Sequence, residues 1–155
     1  MRSTKYIALI LALLISVIAE GCHSSSVVSK LKADLNSNDE STRWAALLEI
    51  NKNGPQATAL RPEIIKALND TNWRLRDSAI LALSAIGLDQ DDVPEVIGML
   101  KDDNEYVRLS AADALGNAGG QALSAISSLE DLAKNDKSDN VRASAKRAID
   151  KIKRA

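Results

Sequence analysis

The chain is expected to be all-α, an α-solenoid of about four stacked helix pairs, and three observations carry that expectation. Arginines recur at Arg43, Arg76, Arg108 and Arg142, spaced 33, 32 and 34 residues apart, an interval suited to a helical repeat. Around each arginine the same residue types return in register. Three positions on stand Ala46, Ala79, Ala111 and Ala145; seven on stand Ile50, Leu83, Leu115 and Ile149; one before stand Thr42, Leu75, Val107 and Val141. Composition agrees: only 3% of the 155 residues are aromatic and none is Phe, so a core must be assembled from Ala, Leu, Ile and Val, which suits closely approaching helices better than a β-sandwich.

The N-terminus stands apart from this pattern. Arg2 and Lys5 precede an apolar or small run from Tyr6 to Ala19, followed by Glu20, Gly21 and Cys22. A basic start and a short apolar stretch ending in small residues is the layout of a secretory signal, and a run of 14 residues falls short of the roughly 20 needed to span a bilayer as a helix. Residues 1–21 are therefore expected to be a cleaved signal peptide, 22–26 a tether beginning at Cys22, and 27–155 the repeat domain. The stretch Ala19-Glu20-Gly21-Cys22 resembles the lipobox of bacterial lipoproteins, although Glu20 departs from the small or apolar residue of that pattern. The resemblance implies that Cys22 is the lipidation site. Cys22 is the single cysteine, so no internal disulfide is possible, and acylation would remove a lone thiol from an oxidising compartment. The alternative is ordinary cleavage after Gly21, giving a periplasmic or secreted soluble protein. His23 and three serines follow as a short polar linker.

Each repeat carries its own start and stop signals. Asp39, Asn72, Asn104 and Ser138, four residues before each arginine, are good N-caps, and Gly54, Gly87 and Gly119, eleven after the first three arginines, are good C-terminal stops. Offsets of −1, +3 and +7 lie on one helical face, and the recurring alanine allows a neighbour to approach closely. Between these helices others are expected over roughly Val27–Asn36, Pro62–Asn69, Val93–Lys101 and Ala122–Lys134, each pairing with the helix that follows.

The stretches DDNEYVRLSAADALGNAG and DTNWRLRDSAILALSAIG, with NDESTRWAALLEINKNG and DKSDNVRASAKRAIDKI, resemble the HEAT-repeat family, in particular its short bacterial, bilin-lyase-type form. The resemblance covers about residues 27–155. It implies stacked helix pairs whose second helices line a concave face.

The recurring arginine is read as structural. A cation in the first turn opposes the helix dipole and needs an acceptor, and Asp70, Asp102 and Asp136 stand six residues before Arg76, Arg108 and Arg142. These are expected to take charge-assisted bonds from the arginine of their own or a neighbouring repeat, giving an Arg/Asp ladder. The first repeat has Ser37 at that position.

Catalytic machinery is not expected. Di-iron hydroxylases of this architecture need several His-Glu pairs, but the chain has one histidine, and that lies in the tether. No Gly-rich phosphate loop, zinc spacing or Ser-His-Asp set occurs, so no metal, cofactor or catalytic residue is assigned. Removing residues 1–21 leaves 18 basic against 20 acidic residues, which offers no general field for nucleic acid.

The face beside the core stripe of the second helices is the candidate partner site. Offsets +1 and +5 hold Trp44 and Leu48, then Asp77 and Leu81, then Leu109 and Asp113, then Ala143 and Arg147. If the repeats stack in register, Trp44, Leu48, Leu81 and Leu109 form a broken apolar strip flanked by Asp77 and Asp113, suited to a neutral or basic protein. The other reading places these residues in the core between repeats. Trp73 and Tyr106 fall near the turns. Asp89–Glu105 carries a local net charge of −6 and Arg142–Arg154 one of +5, read as solvated turns and a polar capping helix.

The function expected is that of an exported, lipid-anchored scaffold of the bacterial cell envelope, binding another protein through its inner helix face. The alternatives are a lyase or accessory enzyme of the same fold, and a structural module that stacks end to end.

Overall fold

The computed structural model of the protein describes residues 26–155, so the expected signal peptide over 1–21, Cys22 and the tether as far as Ser25 lie outside the described residues. A helix, α1, covers residues 26–35. It is followed by α2 (Glu40–Asn53), a 3-10 segment (Gly54–Leu60), α3 (Arg61–Ala67), α4 (Trp73–Ile86), α5 (Val93–Met99), α6 (Glu105–Ala118), a second 3-10 segment (Gly119–Ala125), α7 (Ile126–Asn135) and α8 (Asp139–Arg154). No strand occurs among the described residues.

The second helix of each pair starts where its cap stands. Asp39 accepts from the Thr42 N–H, Asn72 from that of Arg74 and Asn104 from that of Tyr106, each satisfying a donor that the first helical turn leaves unpaired. Ser138 occupies the same place before α8 in extended backbone, without a side-chain capping bond. At the other end Gly54, Gly87 and Gly119 take φ of 53°, 92° and 57°, a region costly for residues with a Cβ.

The first helices differ from expectation at their margins. α3 and α5 are only seven residues long, each with proline in its first turn. The expected helix from Ala122 begins instead as a 3-10 segment with a kink at Ala122 and becomes α-helical at Ile126. The tighter winding lets the short link between Gly119 and α7 turn back onto α6 and α8.

Lateral packing runs chiefly through the second helices: α2 lies on α4, α4 on α6, and α6 on α8, while α3, α5 and α7 each pack on the helix that follows them. The four repeating alanines, Ala46, Ala79, Ala111 and Ala145, are all buried in these seams. One continuous apolar core results, from Leu31 and Leu35 at one end to Ala148 and Ile152 at the other. α6 and α8 approach closely at Gly116, where a Cβ would stand 2.8 Å from the Ala148 Cα.

Candidate interaction surface

Along the edge formed by the starts of the second helices, three arginines link successive repeats. Arg43 donates through Nε to Asp70 Oδ2 at 3.0 Å. Arg76 grips both carboxylate oxygens of Asp102, at 2.6 and 2.8 Å, and Arg108 both of Asp136, at 2.7 and 3.0 Å. Each arginine also turns Nη1 back to carbonyls of its own repeat: Arg43 to Ser37, Arg76 to Asp70 and Arg108 to Asp102, at 3.0, 2.8 and 2.8 Å.

Asp70 and Asp102 are thus used twice, the carbonyl by the arginine of the same repeat and the carboxylate by that of the repeat before. Their Oδ1 atoms accept in addition from the N–H of Asn72 and Asn104, which fixes the turn leading into the cap. Burial by itself would raise the Asp102 and Asp136 carboxyls, but the arginine bonds, the backbone donors and the surrounding positive charge outweigh it and hold both below the usual carboxylate range. Arg142, in the last of the described repeats, bonds the Asp136 carbonyl at 2.6 Å and pairs with Asp139 in its own helix.

The opposite edge carries a link that the repeat pattern does not display. Arg61, at the start of α3, pairs with Asp92 at the start of α5, lies 3.3 Å from Asp89 and donates to the Gly87 carbonyl at 2.9 Å. Asp92 is buried. The one sequence signal for it is a charged residue just ahead of the first-turn proline of each helix, Arg61 immediately before Pro62 and Asp92 two before Pro94.

The candidate strip lies on the second helices as follows. Trp44 on α2 and Leu81 on α4 are exposed, at 45% and 41%. Leu48 on α2 and Leu109 on α6 are half-buried, and Leu109 also packs against the core. Asp113 on α6 accepts from the Ser144 hydroxyl of α8 and stands 3.9 Å from Arg147, which compensates its charge. Asp77 on α4 has no such cation among the described residues, and its Oδ1 is buried without a hydrogen-bond partner. Burial pushes the Asp77 carboxyl up, opposed by the Ser110 hydroxyl.

Trp73 and Tyr106 stack across the joint between the second and third repeats, with ring centroids 5.4 Å apart and planes 20° from parallel, and the Arg74 guanidinium lies 4.8 Å over the Trp73 ring. This aromatic step was not evident from sequence, because the two rings stand at different offsets from their arginines. Among the described residues no group of three or more His, Cys, Asp and Glu is placed to hold a metal ion, and no helix is long and apolar enough to cross a membrane.

Helix pairs joined edge to edge by a repeating ion pair over one continuous core define an α-solenoid. The sequence matches the model of HEAT repeats over residues 28–95 and 88–150, and the chain belongs to the HEAT-repeat family. No curated protein was found to match it significantly. Solved structures of similar fold include an engineered protein at 20% identity and a TM-score of 0.66, covering 82% of this chain and 62% of that one. The complex of CpcE and CpcF of phycocyanin lyase from Nostoc sp. is 20% identical with a TM-score of 0.62, covering 84% of this chain and 80% of that one. A designed armadillo repeat protein in complex with the peptide (KR)4 is 22% identical with a TM-score of 0.62, covering 79% and 63%. The chain spans less than two thirds of the engineered protein's length, and at these identities the likeness is one of fold.

Proposed function

We propose that the protein is a scaffold, exported and anchored by a lipid on Cys22, that binds another protein through the inner face of its second helices. The observation that carries the binding is the exposure of both Trp44 and Leu81 on adjoining helices, with half-buried Leu48 and Leu109 on the same expected strip, in a chain otherwise poor in aromatic residues. A tryptophan presented on a rigid helix face is a common anchor of interfaces, because a large area is buried at small entropic cost. The similar fold of the armadillo repeat protein bound to the peptide (KR)4 supports a peptide-like partner, and Asp77 favours one that is neutral or basic, whereas Asp113 is already compensated by Arg147. The anchor rests on Ala19-Glu20-Gly21-Cys22.

Self-stacking end to end is less well supported. An incoming Arg142 from another copy would meet Ser37, where the internal joints have an aspartate.

The test is a crosslinked pull-down from envelope extract with the native protein and a Trp44→Ser, Leu81→Ser, Leu109→Ser variant whose helicity is checked by circular dichroism. Partner capture by the native form and its loss from the folded variant is expected. Equal capture by both would reject this face.

A further inference from the structure

The buried and half-buried carboxylates of this solenoid are, with one exception, compensated. Asp70, Asp102 and Asp136 have arginines of the preceding repeat, Asp92 has Arg61, Glu63 has Lys32 at 2.8 Å, and Asp113 has Ser144 and Arg147. Asp77 has no cation among the described residues, and one of its oxygens is buried with no hydrogen bond. The Ser110 hydroxyl repays only part of the desolvation of this half-buried carboxylate, and without a cation the remainder disfavours folding. The residue is not sealed away: it is partly exposed, four positions before the exposed Leu81 on the same helix and thus one turn from it. Trp44 stands on the preceding helix at the same offset from its arginine as Asp77, and Leu109 stands at that offset on the following helix.

We infer that Asp77 is the acceptor for a lysine or arginine of the bound partner, so that the site takes an extended segment with one basic side chain between apolar ones. Resting on the binding reading above, the inference adds the chemistry of the ligand. The basic group would supply the compensation that Arg147 gives Asp113, while the flanking apolar side chains cover Trp44 on one side and Leu109 on the other. Asp113, already engaged, would not select for a second cation. The partner's pattern is therefore apolar–basic–apolar with a single required charge, which differs from a run of basic residues.

A displayed library of random octapeptides, selected in parallel on the native protein, on Asp77→Asn and on Trp44→Ser, tests this. The native protein should enrich peptides with Lys or Arg at one position flanked by Leu, Ile, Val or aromatic residues. Asp77→Asn should keep the apolar preference and lose the basic one. Synthetic peptides from the enriched set should then bind native protein about tenfold more tightly than Asp77→Asn, the scale of one charge-assisted bond. Apolar enrichment with no basic position, or a basic preference unchanged in Asp77→Asn, overturns the inference and leaves the binding face standing. Absence of any enrichment that depends on Trp44 overturns both.

Discussion

Arg108 and Asp136, 28 residues apart and on successive repeats, form a two-pronged ion pair with side-chain exposures of only 6% and 5%. The corresponding pairs are progressively more open toward the N-terminus, 17% and 6% for Arg76–Asp102 and 21% and 12% for Arg43–Asp70. Removing one member of a buried pair leaves the other charged and desolvated, costing about 3–5 kcal/mol, whereas exposed pairs contribute about 0–1 kcal/mol. Alanine substitution should therefore destabilise in the order Arg108, Arg76, Arg43, with the first near 3 kcal/mol and the last near 1 kcal/mol as order-of-magnitude values. Urea unfolding of the three variants checks the order; equal effects would mean that burial does not set the cost.

Acid should loosen the same joints. The Asp102 and Asp136 carboxyls are held below their unfolded values, so their contribution to stability is complete above the ordinary carboxylate pKa and is lost as pH falls through the depressed folded values. Thermal stability should drop below about pH 4, and Arg108→Ala should show a shallower drop than the native protein.

Asp77 has the opposite sign. Its folded pKa lies above the unfolded one, so the stability linked to its proton is present below the unfolded value and lost as pH rises through the folded value. At neutral pH Asp77→Asn should raise stability by about 0.5–1 kcal/mol, since it removes a poorly compensated charge. A lower melting temperature for Asp77→Asn at pH 7 would show that the carboxylate has a stabilising partner after all.

Gly116→Ala places a methyl group against the backbone of Ala148, 2.8 Å from its Cα. Alanine adds about 1 kcal/mol of helix propensity, but forcing α6 and α8 apart costs about 1–3 kcal/mol. The expected net effect is a loss of about 1 kcal/mol in chemical denaturation. Gly98, where a Cβ would meet nothing within 4 Å, is the control, and its alanine variant should be neutral or stabilised.

If Cys22 carries the anchor, cells fed an alkyne fatty acid should label the protein, and Cys22→Ser should abolish both the label and sedimentation with membranes. An unlabelled, soluble native protein would favour cleavage after Gly21.

The second helices were legible in the sequence because signals coincide in them: a cap and an arginine four residues later in all four, and a glycine eleven residues beyond the arginine in the first three. Asp39, Asn72, Asn104 and Ser138 are the residues from which α2, α4, α6 and α8 start. The first helices were less so, since α3 and α5 carry only seven residues and share only a first-turn proline, and the 3-10 winding from Gly54 and Gly119 has no periodic signature. Offsets place Trp44, Leu48, Leu81 and Leu109 along one side of their helices, but a phase error of one residue exchanges surface for core. The differing burial of Trp44 and Leu109, both at offset +1, needs coordinates. Arg61 and Asp92 do not recur at equivalent positions in every repeat, so no register points to their pairing.

The double use of the turn aspartate makes the array extensible. A segment from Asp70 to Lys101 begins with an acceptor for the arginine before it and contains, in Arg76, a donor for the aspartate after it. Tandem duplication of those 32 residues would create one new junction, Arg76 against the copied Asp70, with donor and acceptor already matched. Length in this protein is thus a quantity that gene duplication could change one unit at a time, without any new side chain having to be invented at the seam.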